Sequence, residues 1–362
     1  MRSFTRPLTL VIASALTLAA CGAGASPAPS SAAPAAPSTP ASASASAAPS
    51  ESPSGTLTVY AGRSEELVGP LIEDFKADSG VDVKVEYAGT TDLAATILEE
   101  GDASPADVFF AQDAGALGAV AAEGRLTALP AETLAKIDSR FASDAGQWVG
   151  ISGRARVVIY DTRVLEEDEL PTTIAAFTDP TWKGRIGWAP TNASLQSFVT
   201  AFRVLEGDDA AKAWLEGIQA NEPKVYDGND AVLAAVAAGE VEVGFVNHYY
   251  LMRQLAEQGE SYPVRNHFLP GGDPGSLVNV AGAGILSSAP NPVAAQAFVD
   301  FLLTEASQTY FAEETYEYPL IEGVPAHPGL PTLAELKSPD IDLSDLSDLE
   351  GTLRLLQDAG AL

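Results

Sequence analysis

Polar and apolar positions alternate along Thr56-Leu-Thr-Val-Tyr60, a β-branched run that predicts a strand. From Ser64 to Ser79 the period becomes helical, with Leu67, Val68, Leu71, Ile72 and Phe75 on one face and Gly80 as a stop. Pro70 inside that pattern predicts a bend or a delayed start. Val81 to Tyr87 alternates again, Asp92 to Glu100 is helical, and Ala106 to Phe110 is a third strand. This β-α-β-α-β order predicts a parallel sheet with helices on its faces. Ligands bind such sheets at the carboxyl ends of strands, so the loops 61–64 and 111–113 are cleft candidates.

The pattern continues past Ile151. Arg156 to Asp161 and Gly184 to Trp188 are predicted strands, and Pro190-Thr-Asn-Ala-Ser leads into an amphipathic helix from Ser194 to Leu205. Asp230 to Ala238 is a short helix, Val241 to Val246 a strand, and Tyr250 onward a helix. Asn279 to Ser287 is a small-residue strand, and Pro292 to Glu305 a helix with its proline in the first turn. There is no tandem repeat.

The ends are of a different kind. Arg2 and Arg6 precede an apolar run from Leu8 to Ala20, a secretion leader too short to span a bilayer comfortably. Leu18-Ala-Ala-Cys21 has the form of a lipidation box, and Cys21 is the only cysteine in 362 residues. An intramolecular disulfide is therefore excluded. Residues 22–54 are nearly all Ala, Ser, Pro and Gly, a composition that predicts a disordered tether.

The expected organisation is a signal peptide at 1–20, a lipidated cysteine and tether at 21–54, and a first lobe at 55–150. A second lobe follows at 151–282, a return to the first lobe at 283–330, and a C-terminal helical tail at 331–362. More than 300 residues after the tether are too many for one ordinary core, which is why two lobes are expected. Net charge is −29, or −31 once Arg2 and Arg6 leave with the leader. Such a surface makes nucleic acid a poor partner and attracts cations.

The candidate chemistry lies at Val243-Gly-Phe-Val-Asn-His-Tyr-Tyr-Leu-Met. Neighbouring residues on a strand face opposite ways, so Tyr249 and Tyr250 reach one ion only if the strand has ended. A helix beginning there places both phenols at its positive end. Ionising a phenol at pH 7 costs about 4 kcal/mol, which a hard trivalent cation such as ferric iron offsets. A Tyr-Tyr pair is otherwise ordinary half-buried packing. Zinc and calcium lack their usual His, Cys or multi-carboxylate clusters. The helix start at Asn192, Ala193 and Ser194 offers backbone N–H groups to a phosphate, carbonate or carboxylate, or is a simple N-cap. No Gly-x-Ser-x-Gly, no His-Glu-x-x-His and only three histidines (His248, His267, His327) leave nothing to support an enzyme.

The chain resembles the ferric-ion-binding proteins of bacterial ABC importers over nearly its whole length from Leu57. The stretches that carry the resemblance are 57–63, 104–110, 152–157, 182–187, 272–284 and 310–320. The resemblance implies a two-lobe α/β fold of the type II periplasmic-binding kind, with iron(III) in the cleft between lobes. It implies Tyr249 and Tyr250 as metal ligands. It implies Asn192, Ala193, Ser194, Asn229 and Asn247 around a synergistic phosphate or carbonate. The position of a further histidine ligand is Ser64 here, and that of a further glutamate is Gln112. Asp113, Arg63, Arg154 and Arg156 are accessory candidates, while His248 should point elsewhere. The implied partner is an ABC permease, met by a monomer that touches the membrane only through its lipid. A phosphonate, organic phosphate or carboxylate bound without metal is the alternative cargo.

Overall fold

The computed structural model describes residues 52–362; the leader, Cys21 and nearly all of the tether lie outside them. Ten strands form the sheet: β1 (Thr56–Ala61), β2 (Asp82–Tyr87), β3 (Val108–Ala111), β4 (Val149–Asp161), β5 (Ile186–Trp188), β6 (Lys224–Val225), β7 (Val243–Asn247), β8 (Val264–His267), β9 (Val278–Ile285) and β10 (Tyr318–Pro319). Their order is β2-β1-β3-β9-β4-β7-β5-β6, with β8 and β10 also pairing with β4. The expected parallel set is present as β2-β1-β3, closed on its far side by antiparallel β9.

Two strands are shared between the halves of the sheet. Val149 to Ala155 of β4 pairs with β9, while Arg156 to Tyr160 pairs with β7. In the same way β9 pairs first with β4 and then with β3. The sequence positions 150/151 and 282/283, where a change of lobe is expected, fall inside these strands. All thirteen residues of β4 are buried, so its burial pattern has no period for sequence to follow. That explains why its first seven residues escape a periodicity analysis.

Helix Glu65–Ser79 runs through Pro70 rather than starting after it. A mid-helix proline costs about 3 kcal/mol. Leu67, Val68, Leu71, Ile72 and Phe75 are all buried on the sheet, and each contributes roughly 1.5–3 kcal/mol. Burial therefore outweighs the lost hydrogen bond. The helix expected to span 292–305 is two helices, Pro292–Leu302 and Glu305–Glu313. Thr304 breaks the run, because its Oγ1 accepts from the Ser307 amide and caps the second helix.

The C-terminal segment carries helix Leu349–Asp358 and a short turn at Leu343–Ser347. The turn lies on helix Ala114–Ala122, where a Cβ on Gly118 would stand 2.9 Å from Ser347 Cβ. Only glycine permits that approach. The helix packs on Ala193–Glu206, with Thr200 and Thr352 hydroxyls 2.7 Å apart and Arg203 paired to Asp348. Among the described residues no helix is long and apolar enough to cross a membrane.

Candidate functional site

Strand β7 is buried throughout, and its last residue, Asn247, stands opposite Arg156 of β4. His248 already has helical dihedrals, so helix Tyr249–Gln258 starts at the first tyrosine. The strand has ended, and both phenols fall in one helical turn. Their rings stack with centroids 4.2 Å apart at 27°. Tyr249 is 1% exposed and Tyr250 8%.

Both line a cavity of about 400 Å³, together with Arg63, Ser64, Gln112, Glu66, Asp230, Arg253, Gln254 and Glu257. Glu66, Asp230, Arg253 and Glu257 are not marked out by any sequence motif. Arg253 and Glu257 were open to inference, because they follow Tyr250 at three and seven positions along one helix face. Asp230 and Glu66 come from other elements and carry no such signal.

Beneath the phenols lies a nest of buried charge. Arg63 forms an ion pair with Glu317, whose other oxygen accepts from Ser152 Oγ at 2.5 Å. Arg63 lies 5.9 Å from the Tyr249 ring centroid. Burial alone would depress the Arg63 guanidinium, but Glu317 and the two tyrosines raise it. Burial and the repulsion of Arg63 lower Arg154. Burial brings Arg156 down to about 9, although Tyr250 opposes the fall. Burial and Tyr250 push the Tyr249 phenol well above its ordinary range, against the pull of Arg63 and Arg154. Arg63 Nε, Arg154 Nε and Nη1, and Arg156 Nη1 are buried without a hydrogen-bond partner among the described residues. Such orphans are costly unless something arrives to accept from them.

His248 takes no part in the cavity. It is fully buried, Nδ1 accepts from the Ala155 amide at 3.1 Å, and Nε2 lies 2.7 Å from the Tyr316 carbonyl. Burial lowers its pKa to about 4, so the ring is neutral and fixes β4 to the helix start.

Three of the anion candidates, Asn192, Ser194 and Asn229, gather as one hydrogen-bonded cluster. Asn192 caps helix Ala193–Glu206, its Oδ1 accepting from Ser194 N at 3.0 Å and Ser194 Oγ at 2.5 Å. Asn229 Nδ2 donates to Ser194 Oγ at 3.2 Å, while its Oδ1 is buried and unpartnered among the described residues. Ala193 is the first residue of that helix, and Asn247 ends β7. None of the five lines the tyrosine cavity, but Asp230, next to Asn229, does.

Ser64 and Gln112 line the cavity, and Gln112 Nε2 is buried without a partner among the described residues. Asp113 does not line it. Its carboxylate caps helix Ala114–Ala122 by accepting from Ala116 N at 3.0 Å. Arg154 lies behind the cavity wall and donates to the Val280 carbonyl at 3.3 Å. No group of three or more His, Cys, Asp or Glu side chains arranged for a metal occurs among the described residues.

Residues 70–338 match the model of the bacterial extracellular solute-binding protein family. The major ferric iron-binding protein of Neisseria meningitidis serogroup B is 36% identical over 307 residues, covering 84% of this chain and 92% of that protein. The Fe(3+)-binding periplasmic protein of Serratia marcescens is 32% identical over 308 residues, covering 84% and 90%. Iron-bound HitA from Pseudomonas aeruginosa superposes with a TM-score of 0.81 at 36% identity, covering 84% of this chain and 99% of its own. Trichodesmium FutA in complex with iron and citrate gives 0.73 at 29%, covering 85% and 100%. The two-lobe α/β fold, the family match and these relatives together establish that the chain belongs to the ferric-ion-binding proteins among the bacterial extracellular solute-binding proteins.

Proposed function

We propose that this chain is the extracytoplasmic solute-binding subunit of an ABC importer and carries iron(III) to a membrane permease. Tyr249 and Tyr250 hold the ion as phenolates. Asn192, Ala193, Ser194, Asn229 and Asn247 receive a synergistic phosphate or carbonate. The body is a monomer, tethered by lipid on Cys21. The observation that carries this reading is the stacked, buried phenol pair facing a 400 Å³ cavity with three buried arginines behind it. Two phenolates cost roughly 8 kcal/mol at neutral pH. The arginines and a trivalent cation lower that cost from opposite sides. The acidic net charge of −29 favours the approach of a cation.

A second reading, a phosphonate, organic phosphate or carboxylate bound without metal, draws on the orphaned guanidinium N–H groups. Titrating metal-free protein with ferric citrate in the presence of phosphate or carbonate separates the two. Iron on phenolate gives a red to orange charge-transfer band, which Tyr249→Phe with Tyr250→Phe removes. A wild type that stays colourless at saturation refutes the iron reading.

A further inference from the structure

The carboxylates around the tyrosine cavity are occupied, with one exception. Glu66 is paired with Arg253. Glu257 Oε2 accepts from Gln254 Nε2 at 3.4 Å. Glu317 is held by Arg63 and Ser152, and Asp113 caps its helix. Asp230, the second residue of helix Asn229–Ala238, lines the same cavity as both phenols. Among the described residues its carboxylate makes no ion pair and no hydrogen bond to another side chain, and the positive charge that attracts it, Arg253, is already paired with Glu66.

Charge explains why a free carboxylate matters there. Arg63, Arg154 and Arg156 balance Glu317 and two phenolates, and Asp113 adds at most one more negative charge. A ferric ion thus brings at least two positive charges that only the bound anion and the cavity carboxylates outside ion pairs, Asp230 and Glu257, can match. An unmatched charge in a buried site is costly, and a hard cation takes anionic oxygen first. Gln112 offers only a neutral amide.

We propose that Asp230 is a direct oxygen ligand of the ferric ion, alongside Tyr249 and Tyr250, supplying the carboxylate that Gln112 does not. This rests on the reading of the phenol pair as an iron site. Ligation leaves the Gln112 Nε2 amide free to donate to the bound anion or to Asp230 itself.

The test compares wild type, Asp230→Asn, Asp230→Ala and Asp209→Asn, each loaded from ferric nitrilotriacetate. Asp230 is exposed and holds no other side chain in an ion pair, so both variants should retain the fold, which circular dichroism checks. Iron affinity is measured by competition with citrate, and the charge-transfer band by visible absorption. Both Asp230 variants lose at least the roughly tenfold in affinity that removing even an indirect metal partner costs. Their band moves to longer wavelength, because iron with one anionic donor fewer is a better electron acceptor. Asp209→Asn, an exposed acidic position at the start of helix Asp208–Ala220 outside the cavity, keeps both properties. A coloured wild type with an unmoved band in Asp230→Asn overturns the proposal alone, whatever happens to affinity. A colourless wild type overturns the iron reading and this proposal with it.

Discussion

The Glu66 carboxylate is ion-paired with the Arg253 guanidinium, and both residues line the tyrosine cavity. Glu66 begins the helix after β1, and Arg253 lies one turn beyond Tyr250 on the helix after β7. The pair ties the helix after β1 to the helix that carries the phenols, so it bears on how long the cargo stays.

The Glu66 side chain is 71% exposed, which limits the pair to about 1 kcal/mol or less and makes it sensitive to salt. Arg253→Gln should therefore speed chelator-driven iron release by up to about fivefold at low ionic strength. The difference should fade at high salt. Stopped-flow release traces at two salt concentrations check this; a salt-independent effect would point instead to a role for Arg253 in ligation.

Iron affinity should rise with pH. The Tyr249 phenol is held above its ordinary range by burial and by Tyr250, so it is protonated in the metal-free protein at neutral pH. Binding must expel that proton, and protons and iron compete for the same oxygens. Affinity should climb by up to about two decades per pH unit if both phenols lose their protons. An affinity flat between pH 6 and 8 would mean that the tyrosines do not ligate as phenolates, and the metal-free cargo would become the better reading.

Asp113 gives a separate pH dependence, in the stability of the metal-free fold. Burial raises its carboxyl to about 6, although the Ala116 amide and Arg154 oppose the rise. The folded pKa exceeds the unfolded one, so the native state binds the extra proton between about pH 4 and 6. Stability from this group is present below that window and lost as pH rises through it. Asparagine keeps the cap without the buried charge. Asp113→Asn should be more stable than wild type by about 2 kcal/mol above pH 6, with the gap closing below pH 4. Urea unfolding at pH 4 and pH 7 measures both ends.

On the proposed lipid tether at Cys21, Cys21→Ala should release the protein from the membrane. Fractionation of cells expressing each form decides the point. Membrane retention of Cys21→Ala would exclude lipidation as the tether, and a chain starting near Ser54 should bind its cargo with unchanged affinity.

The sequence by itself determined the elements whose burial has a period. The strand at Thr56, the helix at Glu65, and the strand-to-helix junction at Tyr249 are all legible, because a half-buried strand repeats at two and an amphipathic helix at 3.6. The N-cap at Asn192 is legible for the same local reason: its carbonyl oxygen serves amides within two residues. What periodicity does not encode is pairing. Strand β4 is buried on both faces although it carries Ser152, Arg154 and Arg156, and its partners β9, β7, β8 and β10 lie far away in the chain. Arg63 and Glu317 meet across 254 positions. Asp230 and Glu66 reach the phenols from helices that no local pattern connects. The cavity's charge, and with it the chemistry that the phenols can carry out, is a product of those long-range contacts, so only the tertiary structure decides it.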